Sequence, residues 1–291
     1  MKKYLFTLVA LLFIGVLAAC GTSDDNETDN STNGDSNTSE DATTDDASET
    51  IVVGATSTPH AEILEEAKSL LAEEGITLEI EVYQDYVFPN EDLASGTLDA
   101  NYFQHIPYFE SQKADKEYDF ANLGGIHIEP YGFYSKDIKS VDDITEGTVV
   151  IMSNSVADHG RALSILEEAE LIKLDENVEK VDAQVKDIVE NPLNLEFDTD
   201  VDAGFLPEFY ERETEALVAI NGNYALQAGL SPTKDALLLE GTDSPYVNII
   251  AVRSEDKDKE ALQKLVEVLH SEAIQNFINE KYEGKVVPVA E

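Results

Sequence analysis

Arginine is scarce in this 291-residue chain: Arg161, Arg212 and Arg253 are the only three. Arg161 follows Gly160 where a helical pattern opens, just beyond an apolar run over 148–152. An arginine at a strand-to-helix junction offers a carboxylate two parallel N–H donors, and the start of a helix adds a field that favours an anion. The plain alternative is a surface ion pair with one of the many acids. Aromatic residues gather in two windows, Tyr83-Gln84-Asp85-Tyr86-Val87-Phe88-Pro89-Asn90 and Tyr102-Phe103-Gln104-His105-Ile106-Pro107-Tyr108-Phe109. Each window follows a strand-like run, which places it at the carboxyl edge of a sheet, where open α/β sheets bind ligands. Such rings form either a wall for an apolar or thioether group or a patch of core.

Other chemistries find less support. The five histidines are His60, His105, His127, His159 and His270. No two stand at i, i+4, and none lies in a His-rich loop, so they read as scattered structural or surface residues and predict no metal site. There is no Gly-x-Ser-x-Gly elbow and no glycine-rich phosphate loop, and no cofactor is expected. The carboxylates are so numerous that proposing an acid–base pair among them means nothing; a solvated surface is the default. Catalytic residues are therefore not expected.

The 60 Asp and Glu against 19 Lys and Arg give a formal net charge of −41. That charge repels nucleic acid and anionic lipid. It suits a salty exterior, where screening relieves self-repulsion. The single cysteine, Cys20, excludes an internal disulfide and any multi-cysteine metal site.

Cys20 stands at a particular place. Met1-Lys2-Lys3 is basic, Tyr4 to Val16 is apolar apart from Thr7 and Gly15, and Leu17-Ala18-Ala19 precedes the cysteine. This is the signal-peptide pattern, over residues 1–19, and the run is short for a membrane span. Leu-Ala-Ala-Cys resembles a bacterial lipobox. That resemblance implies cleavage before Cys20 and lipidation of its thiol, and two or three acyl chains anchor stably where one does not. The stretch from Cys20 to residue 50 holds ten acids, no Lys or Arg, and nothing to bury. It reads as a disordered, self-repelling tether.

The body from residue 51 alternates strand and helix patterns. Ile51-Val52-Val53-Gly54 reads as a buried strand, with Thr58 and Pro59 as a helix start. Ile63, Leu64, Ala67, Leu70 and Leu71 recur at helical spacing as far as Gly75, and Ile76, Leu78, Ile80 and Val82 then alternate as a strand does. This β-α-β start predicts a parallel sheet. Strands are also expected over 98–103, 148–152, 194–197, 216–220, 237–239 and 247–252. Helices are expected over 105–114, 161–169, 259–269 and 272–279. The class is α/β; periodicity leaves open whether there are one or two sheets.

Seven blocks carry a resemblance. They are Val53-Gly54-Ala55-Thr56-Ser57-Thr58-Pro59-His60, Asp85-Tyr86-Val87-x-Pro89-Asn90, Asn101-x-Phe103-Gln104-His105-x-Pro107-Tyr108, Tyr131-Gly132-x-Tyr134-Ser135-Lys136, Gly160-Arg161-Ala162-Leu163, Ala219-Ile220-Asn221-Gly222-Asn223-Tyr224-Ala225 and Asp243-Ser244-Pro245-Tyr246-Val247-Asn248. In order and spacing they resemble the methionine-binding lipoproteins of ABC importers, the MetQ/NlpA family, over essentially the whole body. The resemblance implies a two-lobed type II periplasmic-binding-protein fold with a hinged inter-lobe cleft. One lobe would comprise 51–131 plus 246–291, the other 132–245. It implies that Arg161 binds the α-carboxylate of an amino-acid ligand, and that Asn221 and Asn248 hold its backbone groups. Tyr86, Phe103, His105 and Tyr108 would line the side-chain pocket. The implied partners are L-methionine or a close relative and an ABC permease with its ATPase; the receptor itself is expected to be a monomer that performs no chemistry. One stretch departs from the family pattern. Met152-Ser153-Asn154-Ser155-Val156-Ala157-Asp158-His159 replaces an Asn-Asp-Pro-Thr-Asn-like segment and sets Asp158 and His159 beside the carboxylate site. That keeps a different amino acid or a short peptide open as the ligand. A metal-ion receptor, a secreted enzyme and an adhesin are weaker readings.

Overall fold

The structure is a computed structural model that describes residues 49–241 and 244–289. The expected signal peptide, Cys20 and all but the last two residues of the expected tether lie outside the described residues. In chain order the first elements are β1 (Glu49–Thr56), α1 (Glu62–Glu73), β2 (Ile76–Tyr83), α2 (Phe88–Ser95), β3 (Ala100–His105), α3 (Ile106–Lys116) and β4 (Phe120–Ile128). Then come β5 (Gly132–Tyr134), β6 (Val149–Ser153), α4 (Val156–Glu168), β7 (Lys173–Leu174), β8 (Ile188–Glu190), β9 (Glu196–Val201), α5 (Leu206–Arg212), β10 (Leu217–Ile220), α6 (Gly222–Gln227), α7 (Pro232–Asp235) and β11 (Leu238–Leu239). The chain returns with β12 (Val247–Arg253), α8 (Glu260–Leu269), α9 (Glu272–Tyr282) and β13 (Val287–Pro288).

Two principal sheets result. The first has strand order β13-β4-β12-β3-β1-β2 and the second β11-β5-β10-β6-β9, with β7 and β8 forming a small ribbon. The expected parallel start is present: β1 pairs in parallel with both β2 and β3. The sheet as a whole is mixed, because β12 runs antiparallel to both β3 and β4. A strand that re-enters from the other half of the molecule approaches from the opposite direction, and nothing in its own sequence announces this.

Each sheet has its own core. Every residue of β3 is buried, as a central strand covered on both faces requires. Ile63, Leu64, Ala67 and Leu71 of α1 pack on the first sheet with Leu262 and Leu265 of α8 and Ile274 and Ile278 of α9. Each such side chain contributes roughly 1.5–3 kcal/mol by leaving water. In the second sheet the strands alternate. Val150, Met152, Leu217 and Ala219 meet the buried face of α4, while Ile151, Val218 and Ile220 meet Leu206 and Ala225 on the opposite side.

The chain passes between the sheets over 129–131 and again between the ends of β11 and β12. These crossovers are tied together: Glu240 N donates to Tyr131 O at 2.8 Å, and Tyr131 N donates to Glu240 Oε2 at 3.1 Å. Helix α4 starts five residues ahead of the expected position. Arg161 is therefore buried within the helix rather than at its mouth, and the helix-start field invoked for it does not apply. Strands β4 and β5 and helices α2, α5 and α6 were not expected. Gly124 and Gly125 break the strand signal in β4, and a Cβ on Gly125 would lie 2.5 Å from Val247 Cγ1, so glycine is what lets β12 approach. Among the described residues no helix is long and apolar enough to cross a membrane.

Candidate ligand-binding site

A narrow pocket opens where the end of β3, the first crossover, the first turns of α4 and α6 and the start of β12 converge. All seven ligand residues expected from the sequence, Tyr86, Phe103, His105, Tyr108, Arg161, Asn221 and Asn248, line it. Gln104, Glu129, Asp158, Gly222 and Asn223 complete the lining.

One wall is aromatic. The ring of Tyr86 lies 6.0 Å from both Phe103 and Tyr108 and 5.0 Å from Tyr224. Its position is built locally. Asp85 Oδ1 accepts from Val87 N at 2.7 Å and Phe88 N at 2.9 Å, which turns the chain into α2. A buried amide cluster then fixes α2 to β3: Asn90 Oδ1 accepts from Asn101 Nδ2 at 2.8 Å and Gln104 Nε2 at 2.9 Å. Tyr108 OH donates to Tyr86 O at 2.9 Å, and Tyr86 OH reaches across to Asn223 Oδ1 at 2.5 Å in the second half.

The opposite wall is polar. Arg161 lies between two rings, its Cζ 5.1 Å from the centre of Tyr131 and 4.6 Å from that of Tyr246. Its Nε donates to Glu240 Oε2 at 2.9 Å, while its Nη2 donates to the same oxygen at 2.5 Å and to Glu129 O at 2.6 Å. The ion pair weighed against a ligand role is thus real, but buried. Nη1 has no hydrogen bond among the described residues. Burial pulls the guanidinium pKa down, and Glu240 more than restores it.

Asp158, one turn before Arg161 on α4, is 2 % exposed. It accepts from His105 Nε2 at 2.9 Å, Ser153 Oγ at 3.2 Å and Asn221 Nδ2 at 3.2 Å. Burial alone would raise its carboxyl; His105, Arg161 and Asn221 outweigh burial and hold it below the usual range. The buried Oδ1 of Asn221 and Nδ2 of Asn223 have no partner among the described residues. His159, the other titratable newcomer of this stretch, turns away and places Nε2 2.8 Å from Ser153 O.

Behind the pocket lies a second polar cluster. Glu129 Oε1 is 3.2 Å from His60 Nε2 and 2.9 Å from His127 Nε2. His60 Nδ1 meets Thr56 Oγ1 at 2.7 Å, His127 Nδ1 meets Tyr102 OH, and His60 Nε2 also reaches Asn248 Oδ1 at 3.0 Å. The histidines are structural as expected, but they are not scattered. Their nitrogens and the Glu129 carboxylate lie within 4.8 Å of one another, a spacing that could hold a metal ion. The hydrogen bonds give the cluster a complete role without one: hydroxyls donate to Nδ1 and both Nε2–H groups donate to Glu129. Burial lowers His60 to about 4 and His127 to about 3, so both rings are neutral. Burial likewise raises Glu129, only partly offset by His60 and Arg161. Gly222 lets α6 close over this carboxylate, since a Cβ there would sit 2.6 Å from Glu129 Cβ.

Glu129, Glu240 and Asn223 were missed as site residues. The first two had a signal: each is a lone acid ending an apolar stretch, in His127-Ile128-Glu129 and Leu237-Leu238-Leu239-Glu240. Asn223 lay inside a recognised block, and only its unused donor distinguishes it.

The polar groups are placed to hold a small polar head against an aromatic wall. Known proteins share this architecture. The model of the family described as NlpA lipoprotein matches residues 51–290. The methionine-binding lipoprotein MetQ of Bacillus subtilis (strain 168) is 46% identical over 293 residues, covering 100% of both chains. A solved ABC transporter periplasmic substrate-binding protein from Coxiella burnetii is 37% identical with a TM-score of 0.77, over 82% of this chain and 100% of that one. A nutrient binding protein from Burkholderia cenocepacia, solved bound to methionine, is 38% identical with a TM-score of 0.77, over 82% of this chain and 99% of its own. With a family match across the whole body and two-lobed structural relatives, the chain belongs to the NlpA lipoprotein family.

Proposed function

We propose that this protein is an extracytoplasmic solute receptor that captures L-methionine, or a close relative, and passes it to an ABC permease and its ATPase. The observation that carries the reading is the convergence of Arg161, Asn221 and Asn248 with Tyr86, Phe103, His105 and Tyr108 on one buried pocket. Relatives named for methionine binding supply the ligand, and the Coxiella burnetii structure supplies the transporter class. Arg161 Nη1 and Asn223 Nδ2 are the donors for a ligand carboxyl oxygen. A thioether against the edges of Tyr86, Phe103 and Tyr108 gains roughly 0.3–1.5 kcal/mol per contact. Closure of lobe 132–245 on lobe 51–131 plus 246–291 about the tied crossovers buries the ligand. In this reading the protein is a monomer, performs no reaction and is held to the outer face of the cell membrane by lipid on Cys20.

The test is calorimetric titration of the protein, purified in detergent and unfolded and refolded to remove carried ligand, with free amino acids and methionine dipeptides. Saturable binding of L-methionine with rejection of most other amino acids is expected. Binding of another amino acid or a dipeptide in its place would move the ligand assignment and leave the receptor role standing. No binding by any member of the panel would end the reading.

A further inference from the structure

The charges around the pocket do not balance. Three carboxylates, Asp158, Glu129 and Glu240, surround one guanidinium, and both Nε and Nη2 of Arg161 are already on Glu240. The positive charge is matched before any ligand enters. Asp158 has no hydrogen-bonded cation of fixed charge, and Arg161, one turn along α4, acts on it only through space. His105 Nε2 donates to it, while His105 Nδ1 is taken up as acceptor by Tyr108 N at 3.1 Å. The other donors to Asp158 are the Ser153 hydroxyl and the Asn221 amide, both uncharged.

Beside this carboxylate an acceptor stands idle. Asn221, 5 % exposed, gives its Nδ2 to Asp158 and leaves Oδ1 unpartnered. A buried acceptor without a donor is costly, and more so beside a negative charge. Only a ligand that brings positively charged N–H groups satisfies both at once.

We propose that Asp158 and Asn221 Oδ1 are the seat of the ligand's ammonium group, and that the pocket accepts amino acids whose carboxyl is masked. This rests on the reading that the pocket takes an amino acid, and it names the class: α-ammonium compounds of net positive charge, such as amino-acid amides, alongside the free zwitterion. A free carboxylate entering here meets an arginine already engaged and adds a fourth negative charge beside Glu129 and Glu240. An amide carbonyl uses the same donors, Asn223 Nδ2 and Arg161 Nη1, without that repulsion.

The experiment is calorimetry on the full-length protein and its Asp158→Asn variant with L-methionine, L-methioninamide and N-acetyl-L-methionine. The amide keeps the ammonium and loses the carboxylate; the N-acetyl compound does the reverse. The unsubstituted protein is expected to bind the amide within about tenfold of methionine, and N-acetylmethionine at least about 100-fold more weakly than the amide. Asp158→Asn is expected to shift the ratio of amide Kd to methionine Kd by about tenfold or more towards methionine. If methionine binds but the ratio is unchanged in the variant, or N-acetylmethionine binds as well as the amide, the ammonium seat is wrong while the receptor stands. If none of the three binds the unsubstituted protein, the receptor reading itself falls and takes this one with it. Should the variant not fold, the order of amide and N-acetylmethionine on the unsubstituted protein decides alone.

Discussion

Glu129 stands between two buried polar clusters that are built differently. On its far side, His60 and His127 are closed: each Nδ1 meets a hydroxyl and each Nε2 meets the carboxylate. On its near side, Asn221 keeps an unused acceptor and Asn223 an unused donor, and Asp158 is hydrogen-bonded to no cation of fixed charge. Both clusters are equally removed from water. Because buried polar atoms are nearly always paired, the unpaired ones mark where a second molecule is expected. Completeness, rather than residue type, separates the scaffold from the site; histidines and acids occur in both.

The sharpest way to break this distinction is Arg161→Ala. Arg161 belongs to the open cluster by position, yet among the described residues it is also the sole charge partner of Glu240. Removing one member of a buried pair strands the other and costs about 3–5 kcal/mol. Ligand binding is expected to vanish and stability to fall together, read by calorimetry and by denaturant unfolding. An unchanged affinity would remove Arg161 from the ligand, and an unchanged midpoint would mean that Glu240 is not truly buried.

Acid titration probes the closed cluster. His60 and His127 titrate near 4 and 3 when folded and near 6.5 when unfolded. Below 6.5 the unfolded chain takes up protons that the folded one refuses, so stability is full above that pH and is lost as pH falls towards 4 and then 3. Glu129 works in the opposite sense, since its raised carboxyl is more stable folded at low pH. The two histidines together lose on the order of 6 kcal/mol between pH 6.5 and 4, and Glu129 offsets part of that. Melting temperature against pH checks it; a flat profile over that window would mean that the cluster is solvated or already charged.

Much of this is legible in the sequence, and the exceptions have physical reasons. β1, α1 and β2 announce themselves because Val53, Ile63, Leu64, Leu78 and Ile80 keep clean helical or alternating periods. The aromatic windows were placed at the correct sheet edge for the same reason. Arg161 was put at a helix mouth because Asp158, His159 and Gly160 are weak helix formers, and they hide the turn that precedes it. His60 and His127 stand 67 positions apart in the numbering, and it takes the pairing of β1 with β3, of β3 with β12 and of β12 with β4 to bring their rings together. No local spacing rule sees such a cluster. The pairing of Arg161 with Glu240 was equally hidden, because it forms only where the two crossovers meet.

The smallest expected effect is the most discriminating, because it compares one hydroxyl from each cluster. Thr56→Val removes the donor to His60 Nδ1 and keeps the shape of the side chain. That ring nitrogen is left buried and unpaired, which costs about 1–3 kcal/mol of stability. No residue lining the pocket is changed, so ligand affinity should stay within about twofold. Tyr86→Phe removes the hydroxyl that donates to Asn223 Oδ1 across the cleft. Its net worth is about 0.5–1.5 kcal/mol. This hydroxyl orients the amide whose Nδ2 is free, and it spans the two halves, so its loss should appear in ligand affinity and scarcely in unfolding. Two losses of one hydroxyl each, one read only by melting and the other only by calorimetry, would establish that the clusters are separate in energy as well as in geometry. If both variants instead lower stability and affinity in parallel, then Glu129 couples them and the far cluster is part of the binding site.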